Sequence, residues 1–106
     1  MRNASGRFIA PTVSSITAAA GGVAEQMARE VRVSIVNSPA PDAYPISGFT
    51  YLLVYQHQRD AAKSEALSGF LRWAMGEGQT YAEPLLYAPL PANVVRMLEK
   101  TVNTIR

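Results

Sequence analysis

A chain of 106 residues is long enough for one small domain, which buries roughly 60–70% of its unfolded surface. The composition is 48% hydrophobic and 17% charged, which excludes intrinsic disorder, and the absence of cysteine excludes disulfides and thiolate metal sites. The net charge is +2 and the ten basic residues form no run, which disfavours a nucleic-acid partner. The sequence contains no apolar run of about 18 residues and no secretion-signal pattern, so we expect neither a membrane span nor a signal peptide in it.

The first predicted element is an amphipathic helix over residues 13–27. Thr12 is its predicted N-cap, and its apolar residues recur at steps of three and four: Val13, Ile16, Ala20, Val23, Ala24 and Met27. Gly21 and Gly22 each weaken a helix by up to about 1 kcal/mol relative to alanine, so they predict a close packing contact or a local kink. A glycine pair can also cradle phosphate, but that needs a preceding strand, and packing is therefore favoured.

Two strands are predicted next. Residues 31–36, VRVSIV, alternate apolar and polar side chains as a half-buried strand does. Residues 37–45 carry three prolines and predict a stiff connector. Residues 46–55 are apolar on both alternating faces, which is typical of an interior strand covered by helices above and below.

Helices complete the chain. Asp60 is the predicted N-cap of a helix that ends near Gly76 or Gly78. Residues 79–91 predict a short helical turn and a proline-rich loop, and residues 92–105 predict a last amphipathic helix. The residues predicted to be buried in these two helices are Leu67, Phe70, Leu71, Ala74 and Met75, followed by Val94, Val95, Leu98, Val102 and Ile105.

These elements predict an α/β fold in which helices pack on a small, incomplete mixed sheet. Sheets of this kind normally have around five strands, and this sequence offers two. The strand over residues 46–55 has a single available partner and too few helices to cover both faces. The sequence therefore predicts that the cover and the neighbours of this strand lie outside these 106 residues.

No set of residues in the sequence matches a recognisable catalytic, metal-binding or anion-binding pattern. His57 is the single histidine and is predicted to lie in an exposed loop without a nucleophile or a second metal ligand. Residues 47–50, SGFT, resemble an anion-binding turn but begin a predicted strand. The aromatic residues Phe70, Trp73, Tyr81 and Tyr87 are predicted to be core and loop packing. We expect no catalytic, cofactor-binding, metal-binding or phosphate-binding residue in this segment, no cofactor, and no enzymatic activity.

Three stretches carry a family resemblance: AYPISGFTYLLV, FLRWAMGEGQTYA and YAPLP. From about Asn3 onward the sequence resembles the C-terminal portion of the phosphate-binding protein of the phosphate ABC transporter. The resemblance implies a part of a periplasmic-binding-protein type II fold, whose two α/β lobes hold phosphate in the cleft between them. It also implies a membrane permease as partner and a periplasmic or extracellular location.

The resemblance further implies how the chain is organised. Residues 1–36 correspond to the end of the second lobe, residues 37–45 to a proline-rich connector, and residues 46–106 to the return strand and C-terminal helices of the first lobe, forming one compact unit. The phosphate ligands of the family match earlier parts of such proteins and have no counterpart here. We therefore expect a receptor fragment that does not bind phosphate by itself. The alternative is a structural module that forms homo-oligomers by strand or domain swapping.

Overall fold

The regular structure of the chain is helical. The computed structural model describes residues 1–106. Its α-helices are α1 (Val13–Gly21), α2 (Ala24–Met27), α3 (Ala61–Met75) and α4 (Ala92–Val102), and two 3₁₀ turns, Glu77–Tyr81 and Glu83–Leu85, connect α3 to α4. Strand pairing is limited to one antiparallel bridge between Arg2 and Phe8. No helix combines the length and the apolar character needed to cross a lipid bilayer.

The predicted mixed sheet does not form, so this part of the α/β prediction was wrong. Residues 31–36 and 46–55 contain no strand. Residues 46–54 neither donate nor accept a backbone–backbone hydrogen bond. A strand is stabilised by its ladder and by side-chain pairs across to a neighbour, and neither predicted strand has such a neighbour in this chain.

The helix boundaries follow local signals in the sequence. At the start of α1, Thr12 Oγ1 accepts a hydrogen bond from the amide of Ser15 (3.1 Å), and Ser15 Oγ accepts one from the amide of Thr12 (2.9 Å). This reciprocal pair is a capping box. Asp60 caps α3 in a similar way by accepting from the amide of Ala62, and Gly76 follows the last residue of α3. Three predicted helix ends are therefore confirmed.

The glycine pair interrupts the first predicted helix. The helix stops at Gly21 and resumes at Ala24, so residues 13–27 form two short helices, α1 and α2, rather than one. A Cβ atom at Gly22 would overlap Ser38 Oγ and would lie 3.0 Å from Ala40 Cβ. Both predicted consequences, a break in the helix and a close packing contact, are confirmed.

The hydrophobic core is small and lies between α1, α2, α4 and residues 35–43. Ile35 and Val94 are its largest fully buried side chains. The buried members of the core are Ala19, Ala20, Val23, Ala24, Met27, Ile35, Ala43 and Val94. For α3 the predicted buried face was partly wrong, because Phe70 is 55% exposed whereas Ser64 and Ser68 are buried.

The folded chain exposes more surface than its size requires. A folded monomer of 11.5 kDa exposes about 5,800 Å², whereas this chain exposes 7381 Å², an excess of about 1,600 Å². Its radius of gyration is 15.0 Å against about 13 Å for a compact domain of this length. Its backbone extends over 49 × 31 × 18 Å, so the fold is flattened. The structure is a thin slab with apolar surface left uncovered.

Asn3 joins the N-terminal residues to the proline-rich connector. Its side-chain amide Nδ2 donates to the carbonyls of Pro41 (2.8 Å) and Ala43 (3.1 Å). Its Oδ1 accepts from the amides of Ser5 and Arg7 and from Ser5 Oγ. Because Asn3 is buried, its removal leaves several backbone groups without their partner.

We predict that Asn3→Ala lowers the free energy of unfolding by about 1–3 kcal/mol, the cost of leaving buried polar groups unpaired. The measurement is urea unfolding followed by far-ultraviolet circular dichroism. Asn103→Ala is the matched control, since Asn103 is exposed and its Oδ1 accepts from Arg72 at the surface. This substitution is expected to change stability by less than about 0.5 kcal/mol. Equal effects of the two substitutions would contradict a specific role for Asn3.

Candidate functional site

The 46–55 segment is anchored at both ends and unpaired between them. The carbonyl of Pro45 accepts from the amide of Asn37 (2.8 Å), and the carbonyl of Gln56 accepts from the amide of Arg106 (2.8 Å). Between these anchors the backbone makes no hydrogen bond to other backbone groups over residues 46–54. Exposed backbone donors and acceptors of this kind can pair with a strand from another polypeptide or from another part of a longer chain.

Most side chains of the 46–55 segment are also uncovered, although Ser47 is buried and Phe49 packs against the core. Leu53 is 92% exposed and Tyr55 is 85% exposed, and Ile46 and Leu52 are exposed as well. Single exposed apolar residues are common on proteins, but a contiguous run of them marks an interaction surface. The structure therefore agrees with the expectation that this chain does not enclose its most apolar segment.

An apolar cleft of about 570 Å³ lies between the 46–55 segment and the helices. Helices α2, α3 and α4 contribute Met27, Leu71, Met75, Val94, Leu98 and Val102 to its walls. The lining contains no aspartate, glutamate, histidine, lysine or arginine. Its Gln79 is already occupied, since its amide donates to the carbonyl of Ala74 and its oxygen accepts from the amide of Leu90. The remaining polar residues of the lining are uncharged: Thr50, Tyr51, Gln56, Thr101 and Thr104. The cleft is therefore suited mainly to apolar contact.

The hydroxyl of Tyr51 binds both backbone groups of Val33, in the middle of the segment that was predicted to be the first strand. Its hydroxyl donates to the carbonyl of Val33 (3.0 Å) and accepts from the amide of Val33 (3.1 Å). Its ring packs edge-on against Phe49, with centroids 6.0 Å apart. The alternating pattern placed Tyr51 on a buried face and did not indicate this contact. The available signal was that a phenol hydroxyl requires a polar partner when its ring packs.

A second apolar surface lies on the outer side of α3. Phe70 and Trp73 are stacked with centroids 6.0 Å apart, and Trp73 lies 6.1 Å from Tyr81. We call these three residues the aromatic row. They are between 46 and 59% exposed, and Tyr87 is exposed too, so the prediction that aromatics of this set belong to the core was wrong, whereas Tyr81 of the 3₁₀ turn does pack on Trp73. A Cβ at Gly78 would lie 3.1 Å from the Trp73 ring, so the 3₁₀ turn packs closely on the indole.

The charged residues do not converge on one place. Arg7 pairs with Asp42, and Arg32 pairs with Glu30, both at the surface. Hydrogen bonds from the backbone and side chain of Arg32 hold the pKa of the Glu30 carboxyl below its usual value. His57 lies exposed just after the 46–55 segment. The structure contains no group of three or more histidine, cysteine, aspartate or glutamate side chains that could hold a metal ion.

The chain is similar to part of a set of phosphate-binding proteins. It is 32% identical over 99 residues to the phosphate-binding protein PstS of Xylella fastidiosa. This alignment covers 93% of this chain and 27% of that protein. It is 31% identical over 118 residues to PstS of Methanocaldococcus jannaschii, which covers all of this chain and 30% of that protein. PstS of Pasteurella multocida is 26% identical over 99 residues. No protein-family model matches the chain.

These matches confirm the resemblance that the three sequence stretches indicate. The chain spans about three tenths of the length of the curated relatives it matches. About seven tenths of each relative therefore lies outside the region of similarity.

Proposed function

We propose that this chain is a segment of a phosphate-binding transport receptor that completes the first lobe of that receptor. In this proposal residues 46–55 are the return strand, residues 60–106 are helices that pack on the first lobe, residues 37–45 are the connector, and residues 1–36 end the second lobe. The receptor binds phosphate between its lobes, delivers it to a membrane permease and acts in the periplasm or outside the cell. The chain is a binding and transport component and not an enzyme.

One observation carries the proposal: the most apolar segment lies largely uncovered in a chain whose sequence matches only about three tenths of its relatives' length. The excess exposed surface is about 1,600 Å², twice the roughly 800 Å² that each partner contributes to a standard protein interface. An interface this large is typical of obligate association, in which the two sides do not function apart. The part of the relatives outside the matched segment can provide the missing side.

We also propose that the chain alone does not bind phosphate. Proteins bind phosphate through free helix N-termini, converging backbone amides and arginine side chains. The N-terminus of α1 is occupied by Thr12 and Ser15, and that of α3 by the Asp60 carboxylate, which repels an anion. Arg7 and Arg32 already contact carboxylates. The N-terminus of α4 has no side-chain cap, but Asn93 Oδ1 already accepts from the amide of Val94 there (2.9 Å).

We predict that isothermal titration of the folded chain with inorganic phosphate gives only the heat of dilution. The PstS protein of Xylella fastidiosa, titrated under the same conditions, is the positive control. Circular dichroism of the same sample verifies that the helices are present. A dissociation constant in the micromolar range or tighter for the chain alone would contradict the proposal, because it would require a complete phosphate site within these residues.

A second candidate function is self-association as a structural module. The observation in its favour is the run of residues 46–54 without backbone hydrogen bonds, beside side chains that are largely exposed. Unpaired strand edges favour association, and strand or domain swapping lets one copy cover the apolar segment of another. In this case the same surface that completes a receptor lobe would join two or more copies of the chain.

A further inference from the structure

We infer that the aromatic row is a second surface that contacts the rest of the receptor, separate from the 46–55 segment. The inference rests on the proposed function and adds a second contact surface to it. In the proposal the return strand enters a sheet of the first lobe. The aromatic row, on the outer side of α3, would then be covered by a further apolar layer of the same lobe.

Helix α3 is apolar on two sides. Leu71, Ala74 and Met75 line the cleft on its inner side. Phe70 and Trp73 form the aromatic row with Tyr81 on its outer side. A surface helix has one apolar stripe and a polar opposite face, whereas a helix that is apolar on both sides is buried between two layers. Within this chain α3 contacts α4 and the first 3₁₀ turn, whereas Phe70 and Trp73 on its outer side stay about half exposed.

The composition of the row indicates an apolar occupant. The basic residue nearest to it in the helix, Arg72, is engaged elsewhere, because its guanidinium donates to Asn103 Oδ1 (2.9 Å) at the end of α4. The 3₁₀ turn brings Tyr81 against Trp73 and adds a third ring. Three adjacent aromatic rings form a surface of the kind found in the cores of interfaces, where charged side chains are depleted.

The size of the uncovered surface indicates that the aromatic row is covered by the part of the receptor that lies outside the matched segment. The relatives carry about seven tenths of their length outside the matched segment, which is enough chain to cover both apolar surfaces. The excess exposed area, about 1,600 Å², is twice what one side of a standard interface provides. Pairing of two copies through the 46–55 segment alone would leave the aromatic row in water.

The test uses a chimeric receptor in which this chain replaces the matched 99 residues of Xylella fastidiosa PstS, in a cysteine-free background. The chain has no natural cysteine, so Tyr81→Cys introduces a single thiol into the aromatic row. Its rate of labelling by a soluble maleimide is compared between the chimera and the chain alone. Lys100→Cys, at an exposed position of α4, is the control for differences in general reactivity.

We expect the thiol at position 81 to react about 100-fold more slowly in the chimera than in the chain alone, because labelling then requires the covering layer to open. The thiol at position 100 should react at similar rates in both. Equal rates at position 81 would overturn the inference, even in a chimera that binds phosphate. Phosphate titration of the unlabelled chimera tests the proposed function separately. Loss of phosphate binding would count against the proposed function. The ratio of labelling rates at position 81 would still decide whether the aromatic row is covered.

Discussion

Leu53→Lys should weaken self-association of the isolated chain by roughly 10- to 100-fold in dissociation constant, the equivalent of losing about 1.5–3 kcal/mol from one buried leucine. Leu53 is the most exposed large apolar residue of the 46–55 segment. If copies of the chain cover this segment for one another, its side chain becomes buried, and a lysine there would place a charge in an apolar contact. Sedimentation equilibrium over a range of concentrations measures the dissociation constant directly.

Leu86→Lys is the matched control for this experiment. Leu86 is 91% exposed, nearly the same as Leu53, but it lies in the loop between α3 and α4. We expect this substitution to leave the dissociation constant nearly unchanged. Equal weakening by both substitutions would indicate non-specific association of apolar surface, and a wild-type chain that remains monomeric at all concentrations would contradict self-association altogether.

Gly22→Ala should destabilise the fold by about 2–4 kcal/mol, a combination of overpacking and a disturbed buried hydrogen bond. The added methyl group would overlap Ser38 Oγ, which donates to the carbonyl of Ala19 (2.8 Å) in the core. Ala40 lies behind Ser38, with its Cβ 3.0 Å and its backbone nitrogen 3.1 Å from the new atom, so the connector must shift. Chemical unfolding measured by circular dichroism gives the loss in stability.

Gly69→Ala provides the opposite result in the same experiment. Gly69 lies within α3, and a Cβ there would have no neighbour within 4 Å. Alanine is the better helix former, so we expect a gain of about 0.5–1 kcal/mol. The double variant Gly22→Ala with Ser38→Ala should lose less stability than the two single variants added together, because part of the overlap is removed. A neutral Gly22→Ala variant would show that the close contact is not required.

The features that the sequence predicted correctly are local ones. Thr12 and Asp60 are N-caps because a hydroxyl or carboxylate can reach an amide two or three residues ahead whatever lies elsewhere in the chain. The apolar stripes of α1 and α4 were likewise predictable from spacing of three and four residues. Gly22 indicated a close contact by its type and position, although its partner Ser38 could not be identified from the sequence.

The predictions that failed concern features that depend on residues far away in the sequence or outside the chain. The alternating pattern of residues 46–55 predicted an interior strand, and the structure contains none there, because a strand needs the hydrogen-bond ladder of a neighbouring strand and no such ladder forms in this chain. For α3 the sequence showed apolar residues around much of the helix and could not tell which side faces this chain. Phe70 was assigned to the core and lies on the outer side, whereas the small Ser64 and Ser68 lie inside.

The candidate surfaces were predicted unevenly. The apolar character of the 46–55 segment, and the expectation that this chain does not enclose it, came from composition and alternation alone. The aromatic row was not, because helical spacing of Phe70 and Trp73 also suits ordinary core packing. The hydroxyl contact of Tyr51 with Val33 depends on how two irregular segments meet, which no local pattern specifies.

Backbone hydrogen exchange of the isolated chain, at a concentration low enough to keep it monomeric, tests most directly whether residues 46–54 lack a partner. Amides of that run should exchange at nearly the rate of an unstructured peptide, while amides in the core helices α1 and α4 should be protected at least about 100-fold more. Protection of residues 46–54 equal to that of the core helices would show that the chain encloses its own apolar segment, which would contradict the account given for both surfaces.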